Sequence, residues 1–153
     1  CVCFFTFVGM GVKGKIDFGD LLTNHGLSKT MFRMELLKLF YETKNSLTVD
    51  EVVKSLSSSI NKVTIYRALE SFEKRGLTHR VPDKNKLSRY SLCREECTAD
   101  SHVHNHGHFI CESCDQTFCL DDVKSPDITD VKGFYVKKLK VILEGYCQKC
   151  YTN

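Results

Sequence analysis

Asn61-Lys62-Val63-Thr64-Ile65-Tyr66-Arg67-Ala68-Leu69-Glu70-Ser71-Phe72-Glu73-Lys74-Arg75-Gly76 is the stretch that decides the fold. Val63, Tyr66, Leu69 and Phe72 recur at near-helical spacing, and Gly76 is well placed as a stop, so a helix is predicted over Asn61 to Lys74. Asn61, Lys62, Thr64, Tyr66 and Arg67 give it polar and basic groups that can face outward. Taken alone, the segment reads equally well as an ordinary amphipathic core helix with a solvated charged face. Its neighbours in the chain decide between the two readings.

Upstream, Met31, Met34, Leu36, Leu37, Leu39, Phe40 and Tyr41 recur at helical spacing, which predicts a helix over Lys29 to Glu42. Thr48 opens another. It stands three residues before Glu51, as a capping box requires; Val52, Val53 and Leu56 turn inward, and Ser57-Ser58-Ser59 ends the helix. Downstream, Leu77 to Val81 and Leu87 to Leu92 read as short strands joined by Pro82-Asp83-Lys84-Asn85-Lys86, a hairpin with a basic tip. Three helices and a basic hairpin make a winged helix-turn-helix. In that module the last helix enters the major groove and the wing touches the phosphate backbone, so Lys84 and Lys86 join the helix residues as candidate DNA contacts.

The charge balance agrees. A net charge of +3 is too small to argue nucleic-acid binding, but Lys54, Lys62, Arg67, Lys74, Arg75, Arg80, Lys84, Lys86 and Arg89 fall in one segment. Asp121, Asp122, Asp127 and Asp130 lie toward the other end. With 153 residues, the chain is long enough for two small modules, which commonly need a metal, disulfides or a partner chain. Nine cysteines alongside 27% charged residues point to reduced, metal-binding thiols and a cytoplasmic protein. Cys1 to Gly9 is apolar but far shorter than the ~20 residues of a membrane helix. Since Met10 follows it, Cys1 to Gly9 is read as preceding the true start; residues 1–16 are read as a leader that is disordered or non-native, 17–92 as the winged-helix DNA-binding domain and 93–153 as a metal-binding dimerisation domain.

The second half concentrates metal ligands. Cys111-Glu112-Ser113-Cys114 and Cys147-Gln148-Lys149-Cys150 supply four thiolates, enough to close a tetrahedral sphere around structural zinc. Between Phe134 and Leu143, the residues Tyr135, Leu139, Val141 and Leu143 share a face, which predicts a half-buried strand leading into the last cysteine pair. His102, His104, His106 and His108 alternate, so an extended segment would turn them to one face. A second, exchangeable metal site is expected there; the other reading is a His-rich solvated loop. Catalysis is not indicated. A four-thiolate site has no open position, no His-Glu-x-x-His pattern exists, and two matched cysteine pairs favour metal over a redox dithiol.

Val63-Thr64-Ile65-Tyr66-Arg67-Ala68-Leu69, then Gly76-Leu77, the wing ending in Arg89-Tyr90-Ser91-Leu92, His106 to Cys114, and Gly145-Tyr146-Cys147-x-x-Cys150 occur in this order. The pattern, spanning Leu27 to Cys150, resembles the ferric uptake regulator (Fur) family. The resemblance implies an α+β fold: an amino-terminal winged helix-turn-helix and a small carboxyl-terminal α/β dimerisation domain with a four-cysteine zinc site. It also implies a homodimeric repressor with a sensory metal site at the hinge, acting on a palindromic double-stranded DNA operator. In it Tyr66 would read bases, and Arg67 and Arg33 would meet phosphates.

Departures from the family pattern bear on the metal. Iron-sensing members place a histidine in the turn before the Thr48 helix, where this chain has Asn45-Ser46, and a glutamate in the strand after the wing, where it has Tyr90-Ser91-Leu92-Cys93. Zinc uptake regulators resemble it at Thr78-His79-Arg80-Val81 and Leu92-Cys93. Carried over by position, their pattern makes His79, Cys93 and His104 sensory ligands and favours zinc over iron as the regulatory metal. Cys119 replaces the family's usual glutamate, either as a softer fourth ligand or as a small buried residue. His106 and His108 match the alternative, iron-like arrangement.

Overall fold

The structure is a computed structural model that describes residues 16–43, 45–56, 60–93, 106–126, 128, 131–137 and 139–152. Residues 1–15 of the leader, Ser57-Ser58-Ser59, Cys97, His102, His104, Asp127 and Asp130 lie outside the described residues.

In chain order the elements are α1 (Phe18–Asn24), α2 (Met31–Thr43), β1 (Leu47–Thr48), α3 (Val49–Ser55), α4 (Lys62–Lys74), β2 (Thr78–Val81), β3 (Arg89–Leu92), β4 (His106–Cys111), β5 (Thr117–Lys124), β6 (Ile142–Gly145) and α5 (Gln148–Tyr151). Helix α1 is not among the helices predicted from the sequence. Its signal is Asp17, whose carboxylate accepts hydrogen bonds from the Gly19 and Asp20 amides at 2.8 and 3.0 Å. The capping box of α3 forms as expected: the Thr48 amide donates to Glu51 at 2.7 Å and the Glu51 amide to Thr48 Oγ1 at 3.2 Å.

Helix α4 begins with Asn61 accepting from the Val63 amide at 2.9 Å. It ends at Gly76, whose φ of +76° lets the Leu77 amide reach back to the Phe72 carbonyl at 2.9 Å. Its buried face is Ile65, Ala68, Leu69 and Phe72. Val63 and Tyr66, which the spacing put on the apolar repeat, are 53% and 45% exposed. A strict three-residue step loses about 60° per step against 3.6 residues per turn, so Val63 ends up about half a revolution from Phe72. The buried face packs on Leu36, Leu37 and Phe40 of α2 and Val49 and Val52 of α3. Tyr90 ties this core to an antiparallel sheet ordered β1-β3-β2, in which Val81 pairs with Arg89 and Leu47 with Tyr90.

A second sheet is ordered β5-β4-β6, with β4 antiparallel to β5 and parallel to β6. Among its described strand residues only Gly107, Ile110, Cys111 and Thr117 are buried. A sheet with so little apolar interior depends on other sources of stability. The strand expected over Phe134 to Leu143 is shorter and later: β6 starts at Ile142, where it first gains a partner in His108, and its residues are mostly exposed. Phe134 and Tyr135 stand out at 75% and 88% exposure.

Replacing Phe72 with Ala is expected to cost about 3–5 kcal/mol in urea unfolding, whereas Val63→Ala on the opposite side should stay within about 0.5 kcal/mol. Equal losses would show that α4 is docked by the wrong face.

Candidate metal centres and their surroundings

Two clusters of ligand atoms form, each with all its members within 4.8 Å of one another. The first is Cys111, Cys114, Cys147 and Cys150. Cys111 ends β4, Cys114 follows in the turn closed by Asp115 at φ +55°, Cys147 caps α5 and Cys150 lies within it. Parallel pairing brings Cys111 opposite Gly145, and the Glu112 amide donates to the Gly145 carbonyl at 2.7 Å, which seats the second cysteine pair beside the first. The Cys114 and Cys147 sulfurs are 3.9 Å apart. A tetrahedron of zinc–sulfur bonds of about 2.3 Å has edges of about 3.8 Å, so the donor set fits such an ion.

The thiols do not share their protons evenly. Burial pushes the Cys111 thiol up, but hydrogen bonds from the amides of Cys147, Cys114 and Ser113 outweigh it and bring its pKa down to about 6. Burial, opposed by the Gln116 amide and reinforced by the neighbouring thiols, pushes Cys114 up to about 12. At Cys150 a hydrogen bond with Ser113 pulls down, while contact with Cys147 and burial push up and prevail.

The second cluster is His79, His106, His108 and Cys119. It spans the two sheets. His79 comes from β2 and is 4% exposed: α4 packs against β2, and the His79 ring lies against His106 and His108 of the second sheet. His108 and Cys119 are cross-strand partners on β4 and β5, so their side chains stand together. His106 lies two residues along, next to a break in register where His106 pairs with Lys124 and Gly107 with Leu120. A Cβ on Gly107 would meet Val123 Cγ1 at 2.9 Å, so any larger residue there would force Val123 to shift. The His79 Nε2 atom is 3.4 Å from Cys119 Sγ, and Nδ1 is 3.6 Å from Cys93 Sγ. The structure thus sets the two thiols on opposite edges of one imidazole, with the His106 and His108 rings 5.3 and 5.9 Å from it, centroid to centroid. Three imidazoles and a thiolate suit tetrahedral coordination.

The residues expected to contact DNA lie mainly at exposed positions. Asn61, Lys62, Thr64, Tyr66 and Arg67 are exposed along α4, and Lys84 and Lys86 lie in the wing loop. Several are engaged within the protein: Lys62 pairs with Asp50, Arg33 bonds to Ser28, and Lys84 donates to the Glu112 carbonyl and to Asp115, each at 3.1 Å. Arg89, counted with the basic surface in the sequence, is instead buried and paired with Asp83 at 2.9 Å and Glu51 at 3.1 Å. Ser46, which in the sequence figured only as part of the turn before the Thr48 helix, and Thr117, which no motif marks, are buried polar residues between the sheets.

A profile described as the ferric uptake regulator family matches residues 24–146. The chain belongs to the ferric uptake regulator family. Members of this family are metal-responsive transcriptional regulators, not enzymes. Similar relatives include the ferric uptake regulation protein of Staphylococcus aureus, 29% identical over 88% of this chain and 96% of that one. Among solved structures, a zinc uptake regulator complexed with zinc and DNA aligns with TM-score 0.64 at 19% identity, covering 90% of this chain and 97% of that one. The ferric uptake regulator of Francisella tularensis with iron aligns at 0.58 with 26% identity, covering 82% and 96%.

Because Cys114 and Cys150 hold their protons at neutral pH, a divalent ion entering the four-thiol cluster must displace them. Its apparent affinity should therefore fall as pH falls, and binding at pH 7 should release protons into weakly buffered solution. Binding without proton release would exclude a four-thiolate site. Gly107→Ala should lower stability by about 1–3 kcal/mol in a thermal melt, as Val123 is forced from its place.

Proposed function

We propose that this family member is a zinc-responsive repressor of metal-uptake genes, acting in the cytoplasm as a homodimer on a palindromic operator in double-stranded DNA. The observation that carries the zinc reading is the donor set of the cluster between the sheets, which among the described residues is three imidazole nitrogens and one thiol with no carboxylate. Iron(II) favours more oxygen donors, whereas zinc accepts four nitrogen and sulfur ligands. In this reading His79, His106, His108 and Cys119 are the sensory ligands. Cys93 orients the His79 ring from its Nδ1 edge, and His104 is an alternate ligand. Cys111, Cys114, Cys147 and Cys150 hold structural zinc.

The division of labour follows 17–92 for DNA and 93–153 for metal and dimer contact. Arg33, Asn61, Lys62, Thr64, Tyr66, Arg67, Lys84 and Lys86 contact the operator, with Tyr66 at base edges and Arg67 and Arg33 at phosphates. Exposed Phe134, Tyr135, Ile142, Leu143 and Tyr146 support a second copy as the cover of the small sheet. No helix among the described residues is long and apolar enough to cross a membrane. Ligation across the sheets favours the arrangement that presents both recognition helices about one DNA turn apart, which shifts a population toward the DNA-binding form.

A second reading, iron sensing, draws on the presence of His106 and His108 in the cluster. The two are separated by titrating zinc and iron(II) separately against operator binding in fluorescence anisotropy. Zinc is expected to raise DNA affinity about 5–150-fold, and His79→Ala or Cys119→Ser to abolish most of that gain while leaving the four-cysteine site loaded. A response to iron alone would replace the zinc reading. Arg67→Ala should weaken binding and flatten its dependence on salt.

A further inference from the structure

Beside the histidine cluster, the two sheets are joined a second time by hydrogen bonds. Thr117, the first residue of β5, is 2% exposed. Its hydroxyl donates to the Pro82 carbonyl at 2.8 Å, and its own carbonyl accepts from the Ser46 hydroxyl at 2.7 Å. One buried residue of the metal-bearing sheet therefore grips the winged helix at two places: the turn before α3 and the start of the wing loop.

Both places are themselves fixed. The Ser46 carbonyl accepts from Arg89 at 2.9 Å, and Arg89 continues to Glu51 of α3 and to Asp83 of the wing loop. Gln116, next to Thr117, donates to Glu51 at 3.4 Å. Buried polar networks of this kind are stiff, because breaking any member leaves a desolvated group without a partner.

Thr117 stands two residues before Cys119 on the same strand, pairing with Ile110 as Cys119 pairs with His108. A strand of that length spans about 7 Å and is held on its ladder, so a shift of Cys119 is passed to Thr117 instead of being absorbed between them.

We infer that Thr117 is the positioning residue through which ligation at Cys119 reaches the DNA-binding elements, with Ser46 and the Pro82 carbonyl as its two anchor points. The inference rests on the sensory role proposed above for the His79 cluster. Thr117 is itself neither a proposed metal ligand nor a proposed DNA contact; its task is to join them. Without its hydroxyl, ligation would still draw Cys119 toward His79, but α3 and the wing would follow it less closely.

The test uses the full chain with Thr117→Val, which keeps the shape and removes the donor, with Thr117→Ser as the conservative rescue and with Ser46→Ala. Two quantities are read: metal affinity by chelator competition, and the ratio of operator affinity with metal to that without it. The metal is whichever of zinc or iron(II) moves the wild type, so a wrong metal assignment shows in the wild type and a wrong joint only in the variants. Thr117→Val is expected to bind metal within about threefold of wild type while its ratio falls by about fivefold, the equivalent of one buried hydrogen bond; Thr117→Ser should restore it. A folded, metal-binding Thr117→Val with the parent's ratio would overturn the inference. Should that variant fail to fold, an unchanged ratio in Ser46→Ala would overturn it equally. A wild type that no metal moves would overturn both the joint and the sensory reading.

Discussion

Four sulfur atoms packed within 4.8 Å of one another cannot all carry charge unless a cation lies among them. At an effective dielectric of about 20, two like unit charges about 4 Å apart repel by about 4 kcal/mol. The protein answers by giving Cys111 the amide donors and leaving Cys114 protonated. Neutralised by a divalent ion, the same four groups would draw β4, the turn after it and α5 together. The second sheet needs this, since its described strand residues bury so little apolar surface and β6 is attached by only a short parallel ladder.

From that fastening the other cluster inherits its order. Strand β4 carries Cys111 at one end and His106 and His108 toward the other, and a strand rises about 3.3 Å per residue, so His108 sits about 10 Å from Cys111 on a stiff support. The cysteine cluster is closed within one sheet with its flanking turn and helix, and occupying it holds that unit together. The histidine cluster draws one member, His79, from the other sheet, so its occupancy bears on how the two sheets lie against each other. One cluster is suited to permanence and the other to response.

Much of this was legible in the residues. The helix starts at Thr48 and Asn61, the stop at Gly76, the wing and both cysteine pairs are local signals, each satisfied within a few residues of itself. What escaped is what depends on partners distant in sequence. The strand expected from Phe134 could not be delimited without knowing that β4 offers its first partner at Ile142. The apolar row of α4 was shifted because three-residue spacing only approximates a helical turn over a short span. Arg89 reads as one more positive charge until Glu51 and Asp83 close around it. The histidines show the same limit: alternation placed them on a common face, but only the tertiary arrangement joins His79 to His106, His108 and Cys119, with Cys93 behind the ring.

Gly76 closes α4 and leaves only Leu77 and Thr78 before His79. Helix α4 and this imidazole are thus closely joined along the chain, with His79 at the helix base and Asn61 at its far tip. Thirteen residues at 1.5 Å each make an arm of about 20 Å. A tilt of about 5° at the base therefore carries the tip about 2 Å, enough to make or break hydrogen bonds whose tolerance is about half an ångström. If His79 holds the sensory metal and α4 lies against DNA, as proposed, small adjustments around this buried ring are magnified by the helix itself into the difference between meeting a base edge and missing it.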